Sequence, residues 1–578
     1  MAKKHILILI LILAAVLRLY GLNRGDTVND EIFMSFRGIG MLDFDEAETQ
    51  TTPWEWFDKL TINGLSDDQR LTDGKTIPWW INLSFHDHPL AVPLTQHIFM
   101  NFLGESQMAF RLPSALLGIA SVYLLYLIGM ALYSETAGLF SAGLFAVTLN
   151  NIYITRTGMQ EPYVIFFILL ASYLFLRARQ NARYFIWLGA ALGLGLSAKY
   201  TSAILIPIFI FYLLVYNRNA FRQKQFWLGA AIALFLFSPS IIYNLNLYRE
   251  FGHFDFQISN ILGNAPEEWQ NSVGKEVGTP AERIKQFIPR LIATNSWLFL
   301  SLAAISYLIF LFAIIRKPSE TLKKHAFLLI ATLGIAALII GFIGPSYRFL
   351  TILTPFMALS ASLSLDGFFH SNVVKNVEMK KWASGALIAF FIFEIFYSYN
   401  NQIAYYPIGA SPAEPRKNSP WLTSLVRLEN YNWGYNALGN WLETELKGKI
   451  PAITFDLQYQ FLEKFRDSAL KSGLARGYET YSALIVYDGN FDRAGRLWAL
   501  DRLHIYHAWP IISAETYSKY LKENGADFYK KAGFKNFYYI TQPGYLSLYD
   551  ISALKIGEII PIKNPYGNET FLVYKSEK

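Results

Sequence analysis

The chain has 578 residues, 53% hydrophobic and 16% aromatic, with a mean hydropathy of +0.24 and a formal net charge of +7. It is too apolar for an ordinary soluble enzyme and too polar for a bundle wholly embedded in lipid, which calls for a membrane protein with a sizeable part outside the bilayer. The basic residues cluster in short loops between apolar runs, a mark of topology rather than of nucleic-acid binding. The absence of cysteine excludes disulfides and thiolate metal sites and leaves the compartment open.

The apolar runs predict about eleven membrane-spanning helices, near 5–22, 111–133, 137–151, 161–177, 184–198, 201–216, 226–245, 291–315, 326–344, 348–366 and 382–399. The first follows Lys3 and Lys4, lacks a small-x-small cleavage site and precedes further spans, so it reads as an uncleaved helix with a cytoplasmic N-terminus. Alternate loops should then be basic. They hold Arg177, Arg179 and Arg183; Arg218, Arg222 and Lys224; Arg316, Lys317, Lys323 and Lys324; and Lys375, Lys380 and Lys381. The tight turn at 133–136 departs from this, carrying only Glu135.

The first outer loop, 23–110, is too long for a connector and is expected to be functional. Asp30-Glu31 emerges from the membrane at its start, where a carboxylate is placed to act as general base toward a lipid-linked substrate's acceptor, although loop carboxylates are commonly only solvated. Trp54, Trp56, Trp79 and Trp80 suit an interface. His86-Asp87-His88-Pro89-Leu90 sets two imidazoles around a carboxylate. Asp87 is a candidate to bind a divalent cation or orient an acceptor, and His88 to meet a phosphate; the plainer reading is a polar turn. Residues 90–103 follow as a helix expected to lie on the membrane surface, and Arg111 opens the second span.

Further outward charges come in chain order. Arg156 precedes Glu161-Pro162, where helix capping competes with function for the carboxylate. Lys199-Tyr200 ends a span on the side where a lysine is not expected, and Tyr347-Arg348 follows Gly344-Pro345 at another outer turn. Snorkelling accounts for each cation alone; together they offer the charges and phenols that a lipid phosphate requires. The second long outer loop, 246–290, carries His253. After a linker marked by Pro407, Pro412, Pro415 and Pro420, residues 400–578 read as a soluble α/β domain, with a helix near 437–446 and strands near 482–487 and 536–541. Eleven crossings put it on the outer side, leaving residues 1–399 as the membrane domain.

In order and spacing, several segments resemble the GT-C class of membrane glycosyltransferases, and within it the family 39 branch of protein O-mannosyltransferase and aminoarabinose-transferase relatives. They are Asp30-Glu31, Asp87-His88-Pro89-Leu90, Phe110-Arg111, Arg156 to Glu161-Pro162, Ala191 to Lys199-Tyr200, and Tyr347-Arg348 to Pro355. The resemblance implies a polytopic α-helical GT-C-like fold with a C-terminal extracytoplasmic α/β domain. It implies a polyprenyl-phosphate-linked sugar donor in the bilayer and inverting transfer to an acceptor hydroxyl or amine, on a protein, lipid or glycan, at the outer face. Asp30 matches the catalytic aspartate, with Glu31, Asp87 and Glu161 orienting acceptor, sugar or cation. His88, Arg111, Arg156, Lys199, Tyr200, Tyr347 and Arg348 would bind substrate. No cofactor is required; a divalent cation would fall to Asp87 first and His253 second. The family's His-Pro-Pro reads His88-Pro89-Leu90 here, and its usual aspartate before proline is Glu161. The Trp-Trp-Asp-Tyr-Gly motif of oligosaccharyltransferases is absent, which argues against en bloc transfer to asparagine. The alternative is a polytopic transporter or lipid flippase, disfavoured by the lack of an inverted repeat. A sensory receptor is disfavoured by the lack of a cytoplasmic output domain.

Overall fold

The computed structural model describes residues 2–28, 30–40, 79–85, 88–263, 278–371, 377–404, 421–455, 460–547, 549 and 557–577. By packing they form two units. One is built from described stretches within Met1–Asn23, Leu83–Tyr406 and Ser411–Glu429, the other from stretches within Arg24–Asn82 and Asn430–Lys578.

Helix α1 (Ala2–Leu19) opens the first unit, and α2 (Glu31–Gly40) belongs to the second. A two-residue hairpin, β1 (Ser84–Phe85) and β2 (His88–Pro89), leads to α3 (Ala91–Leu103). The bundle continues through α4 (Gln107–Leu132), α5 (Glu135–Val147), α6 (Leu149–Thr155), α7 (Glu161–Ala178), α8 (Tyr184–Ala198), α9 (Leu205–Tyr216), α10 (Lys224–Phe251) and α11 (Phe256–Leu262). It ends with α12 (Pro280–Thr294), α13 (Trp297–Arg316), α14 (Pro318–Leu338), α15 (Thr354–Phe369) and α16 (Val377–Gln402).

Every apolar run expected to span falls on helix. Among the described residues, seven helical segments are long and apolar enough to cross a membrane, and the bent pair α5–α6 makes an eighth. The remaining runs fall short for local reasons: α8 and the Tyr200–Tyr216 segment are short, and α1 carries Lys3, Lys4 and Arg18. The expected run at 291–315 divides at Asn295, whose extended backbone separates α12 from α13.

The α5–α6 bend of 64° has an identifiable cause. Carbonyls near the break lose helical partners, and side chains replace them. Arg18, 0% exposed, donates to the Ala146 carbonyl at 3.0 Å and the Asn151 Oδ1 at 2.6 Å, while Ser398 Oγ donates to the Val147 carbonyl at 2.6 Å. At the other end of α1, Lys3 Nζ lies 3.0 Å from Glu135 Oε2, which pairs the odd acidic turn with the basic N-terminus. Helices α8 and α10 touch through glycine: a Cβ on Gly189 would stand 1.9 Å from the Gly229 carbonyl oxygen, so only glycine permits this approach.

The second unit is an α/β fold. Strands β3 (Lys449–Pro451) and β4 (Glu479–Tyr481) form a parallel pair. The main sheet comprises β5 (Ala483–Asp488), β6 (Ile511–Ser513), β7 (Asn536–Thr541), β8 (Glu558–Lys563) and β9 (Glu569–Glu577), in the order β6-β5-β7-β9-β8. Strand β5 runs parallel to β6 and β7, and β9 antiparallel to β7 and β8. β5 is buried along its whole length because both of its faces are covered. Ile485 and Tyr487 meet Leu438 and Leu442 of α17 (Tyr435–Glu445), whereas Leu484 and Val486 meet the side bearing Tyr517 and Tyr529.

Residues 24–40 are integral to this second unit. Asp26, 2% exposed, accepts from the backbone N–H groups of Trp433 at 2.5 Å, Gly434 at 3.1 Å and Asn436 at 2.9 Å, which caps α17 from a distant part of the chain. Helix α2 seats against the short helix α18 (Arg502–His507), where Tyr506 Oη donates to the Phe36 carbonyl at 2.9 Å. Asp26→Ala is expected to lower the stability of this unit by about 2–3 kcal/mol, since charge-assisted hydrogen bonds each contribute on that order. Thermal unfolding of the full chain, followed by proteolytic release of C-terminal fragments, reads the loss.

Candidate functional site

Glu161 is the first residue of α7, with Pro162 next to it, and is 1% exposed. The helix's positive end favours an acid there, but a carboxylate this buried needs stronger partners. It has two. Lys199 Nζ lies 2.8 Å from Glu161 Oε1 and Arg348 Nε lies 4.0 Å from the same oxygen. Lys199 reaches it because α8 stops at Ala198 and Lys199 turns into extended backbone, φ −165° and ψ 139°. Arg348 follows a turn entered at Gly344, whose φ of +76° suits glycine. The ring of Phe349 lies 5.0 Å from Lys199 Nζ and 4.8 Å from Arg348 Cζ, so both cations share one aromatic neighbour. Among the described residues, two cations thus gather on one carboxylate oxygen.

Tyr200, beside Lys199, is held by a second network. Its hydroxyl donates to Asp255 Oδ2 at 2.6 Å, and Asn244 Nδ2 donates to the same oxygen at 2.9 Å. Asp255 is 0% exposed, and its other oxygen caps α11 by accepting from Ile258 N at 3.0 Å. The hairpin packs on the same part of the unit, β2 against α8 and β1 against α10, and so brings His88 to the neighbourhood of Lys199 and Tyr200. Gln160 Nε2 donates to the Ala198 carbonyl at 2.9 Å, tying the start of α7 to the end of α8.

Other expected substrate-binding residues are engaged with the end of the first helix. Arg156 donates to the carbonyls of Leu17, Arg18, Tyr20 and Gly21 at 2.9–3.2 Å, a C-terminal cap for α1. Arg111 donates to the Leu22 carbonyl at 3.2 Å. Both have this structural duty whatever else they do. Tyr347 sits half-buried immediately before Arg348. Asp30 lies in the second unit, half-buried just ahead of α2; Glu31 opens that helix, is 0% exposed and accepts from Val28 N at 3.3 Å. Asp87 and His86 lie outside the described residues. His253 is 6% exposed, with its Nδ1 2.7 Å from the Phe254 carbonyl oxygen, and among the described residues no group of three or more His, Cys, Asp or Glu is arranged to hold a metal ion.

Asp255 and Asn244 were not anticipated from the sequence. The available signal was an Asp three residues after Gly252 and just ahead of a short helical segment, together with an Asn late in an apolar run.

The fold resembles that of a solved structure of ArnT from Cupriavidus metallidurans bound to undecaprenyl phosphate, with a TM-score of 0.52 over 98% of this chain and 97% of that one, at 13% identity. At this identity the likeness is one of fold, and the sequence matches that follow are similarities to mannosyltransferases over part of the chain. More narrowly, residues 87–243 match the family described as dolichyl-phosphate-mannose-protein mannosyltransferase. YkcB of Bacillus subtilis strain 168, named as a candidate mannosyltransferase, is 26% identical over 240 residues, 40% of this chain and 29% of its own length. YycA of the same strain, named likewise, is 29% identical over 142 residues, 24% of this chain and 21% of its own length. The chain thus spans less than a third of either curated relative.

Proposed function

We propose that this protein transfers a sugar from a polyprenyl-phosphate donor to an acceptor hydroxyl or amine at the extracytoplasmic face of a membrane, with inversion. The observation that carries the reading is the pair of cations, Lys199 and Arg348, gathered around one buried carboxylate at the end of a GT-C-class bundle. Such a pair offsets the charge that grows on a departing lipid phosphate. The acceptor oxygen or nitrogen bonds to the anomeric carbon as the bond from that carbon to the phosphate oxygen breaks. The phosphate leaves with the electron pair, and the acceptor's proton passes to Asp30, the residue that the family resemblance assigns as base. Tyr347 and Tyr200, with His88, suit hydrogen bonds to the phosphate or the sugar. Lipid phosphate is already a fair leaving group, so the reaction needs no cofactor. The N-terminus lies in the cytoplasm, and the α/β unit lies outside, where it engages the acceptor.

The test is turnover of a panel of radiolabelled polyprenyl-phosphate hexoses and pentoses by the full chain in lipid. At least one donor is expected to be cleaved to free lipid phosphate, and Arg348→Gln to raise the donor KM about tenfold or more through loss of a charge-assisted contact. Movement of a lipid-linked sugar across the bilayer with its glycosidic bond intact would replace this reading with transport.

A further inference from the structure

Helix α12 runs from the stretch that the sequence reads as an outer loop into the start of the expected span at 291, and it is firmly built. Thr279 and Glu282 form a reciprocal capping box and Pro280 occupies the first turn. Leu291 is buried and Phe287 half-buried against the protein, yet a second apolar row is left outside. Ile284, Ile288 and Ile292, spaced one turn apart, are 58%, 57% and 58% exposed. Its arginines point the other way: Arg283 donates to the carbonyls of Gly341 at 3.0 Å and Ile340 at 3.4 Å, and Arg290 to that of Pro345 at 3.5 Å. A helix in water turns its apolar arc to the protein and its charges outward. Here Arg283 and Arg290 fasten to the bundle, Glu282 and Lys285 are exposed, and an isoleucine stripe faces away from the bundle.

The anchoring carbonyls identify what the stripe meets. Ile340 and Gly341 sit in the last turns of the span His325–Ile343, where Phe342 is 69% exposed. The stripe is thereby held beside the last turns of that span, next to its exposed apolar side chains. Helix α3 repeats the arrangement at the same end of the bundle, with Leu94, Ile98 and Phe102 41%, 46% and 84% exposed, and with Gln96 bonded inward to the Gly158 carbonyl at 2.7 Å. We infer that α12 is an interfacial helix whose isoleucine stripe is seated in the acyl boundary of the outer lipid leaflet. Arg283 and Arg290 join that seat to the turn that ends in Tyr347 and Arg348. The importance of this link for donor binding rests on the function proposed above; the seat itself does not.

The chain has no cysteine, so a single introduced cysteine takes a label at one place only. Nitroxides are to be placed at Ile284→Cys, Ile288→Cys, Ile292→Cys and, on the polar arc, Gln286→Cys. Each full-length variant is reconstituted into vesicles of phosphatidylcholine and phosphatidylglycerol. Oxygen is expected to reach the three stripe positions while a water-soluble nickel chelate is excluded, with the opposite preference at Gln286. Nickel access at Ile288 equal to that at Gln286 would put the stripe in water. Exclusion of both reagents would mean that protein, a second copy included, covers it. Either result overturns the seat. All four positions are exposed, and agreement among Ile284, Ile288 and Ile292 guards against one variant that folds badly. Because no turnover is measured, the outcome is independent of the proposed activity.

Discussion

Asp30→Asn is expected to lower the transfer rate by about 10²- to 10⁴-fold while donor binding stays close to that of the parent, the range spanned by loss of a positioned general base. The amide keeps the shape of the side chain but cannot take a proton from the acceptor. The substitution should be mild structurally, because Asp30 is only half-buried and precedes α2 rather than forming its core. Glu31 is a poor substitute although adjacent: it is 0% exposed and one of its oxygens accepts from Val28 N at 3.3 Å. The measurement pairs sugar transfer with equilibrium binding of the lipid donor to the same preparation. Transfer lost with binding kept assigns the base. Transfer kept moves the base elsewhere and leaves Asp30 a loop carboxylate beside a helix start.

The apolar runs made the helical bundle legible, because a segment that must face lipid leaves little freedom of composition. The parallel strands of the α/β unit were legible for a similar reason: β5 and β7 are buried on both faces and read as continuous apolar stretches. The contacts that distant segments make were not. Nothing local distinguishes Asp26 from a solvated loop acid, because the three N–H groups it satisfies lie more than four hundred residues away. Nothing in the first apolar run shows that Arg18 is buried at the α5–α6 bend, because the groups it bonds lie well over a hundred residues away. The exposed stripe of α12 was hidden in a segment of mixed charge, since an interfacial helix needs only a narrow apolar arc. Glu161, Lys199 and Arg348 were each visible as a charge at a membrane boundary. That both cations converge on one Glu161 oxygen required the packing of α7, α8 and the turn before α15.

That convergence makes Lys199→Met an informative lesion. Glu161, 1% exposed in the parent, would lose the cation at 2.8 Å and keep Arg348 at 4.0 Å. Breaking one side of a buried pair typically costs about 3–5 kcal/mol, because the surviving charge is left inside. Thermal unfolding in detergent should therefore fall sharply in Lys199→Met, and in Glu161→Ala for the complementary reason. Removing both charges differs: a buried ion pair exchanged for neutral groups of similar size is often close to neutral in stability. The double variant Glu161→Gln, Lys199→Met should thus regain most of the lost stability. Its turnover should remain depressed by about 10²-fold or more, because a preorganised cation toward the leaving phosphate is missing. Recovery of stability together with turnover would reduce Lys199 to a counter-ion for a helix cap. Recovery of stability alone separates its service to the fold from its service to the donor.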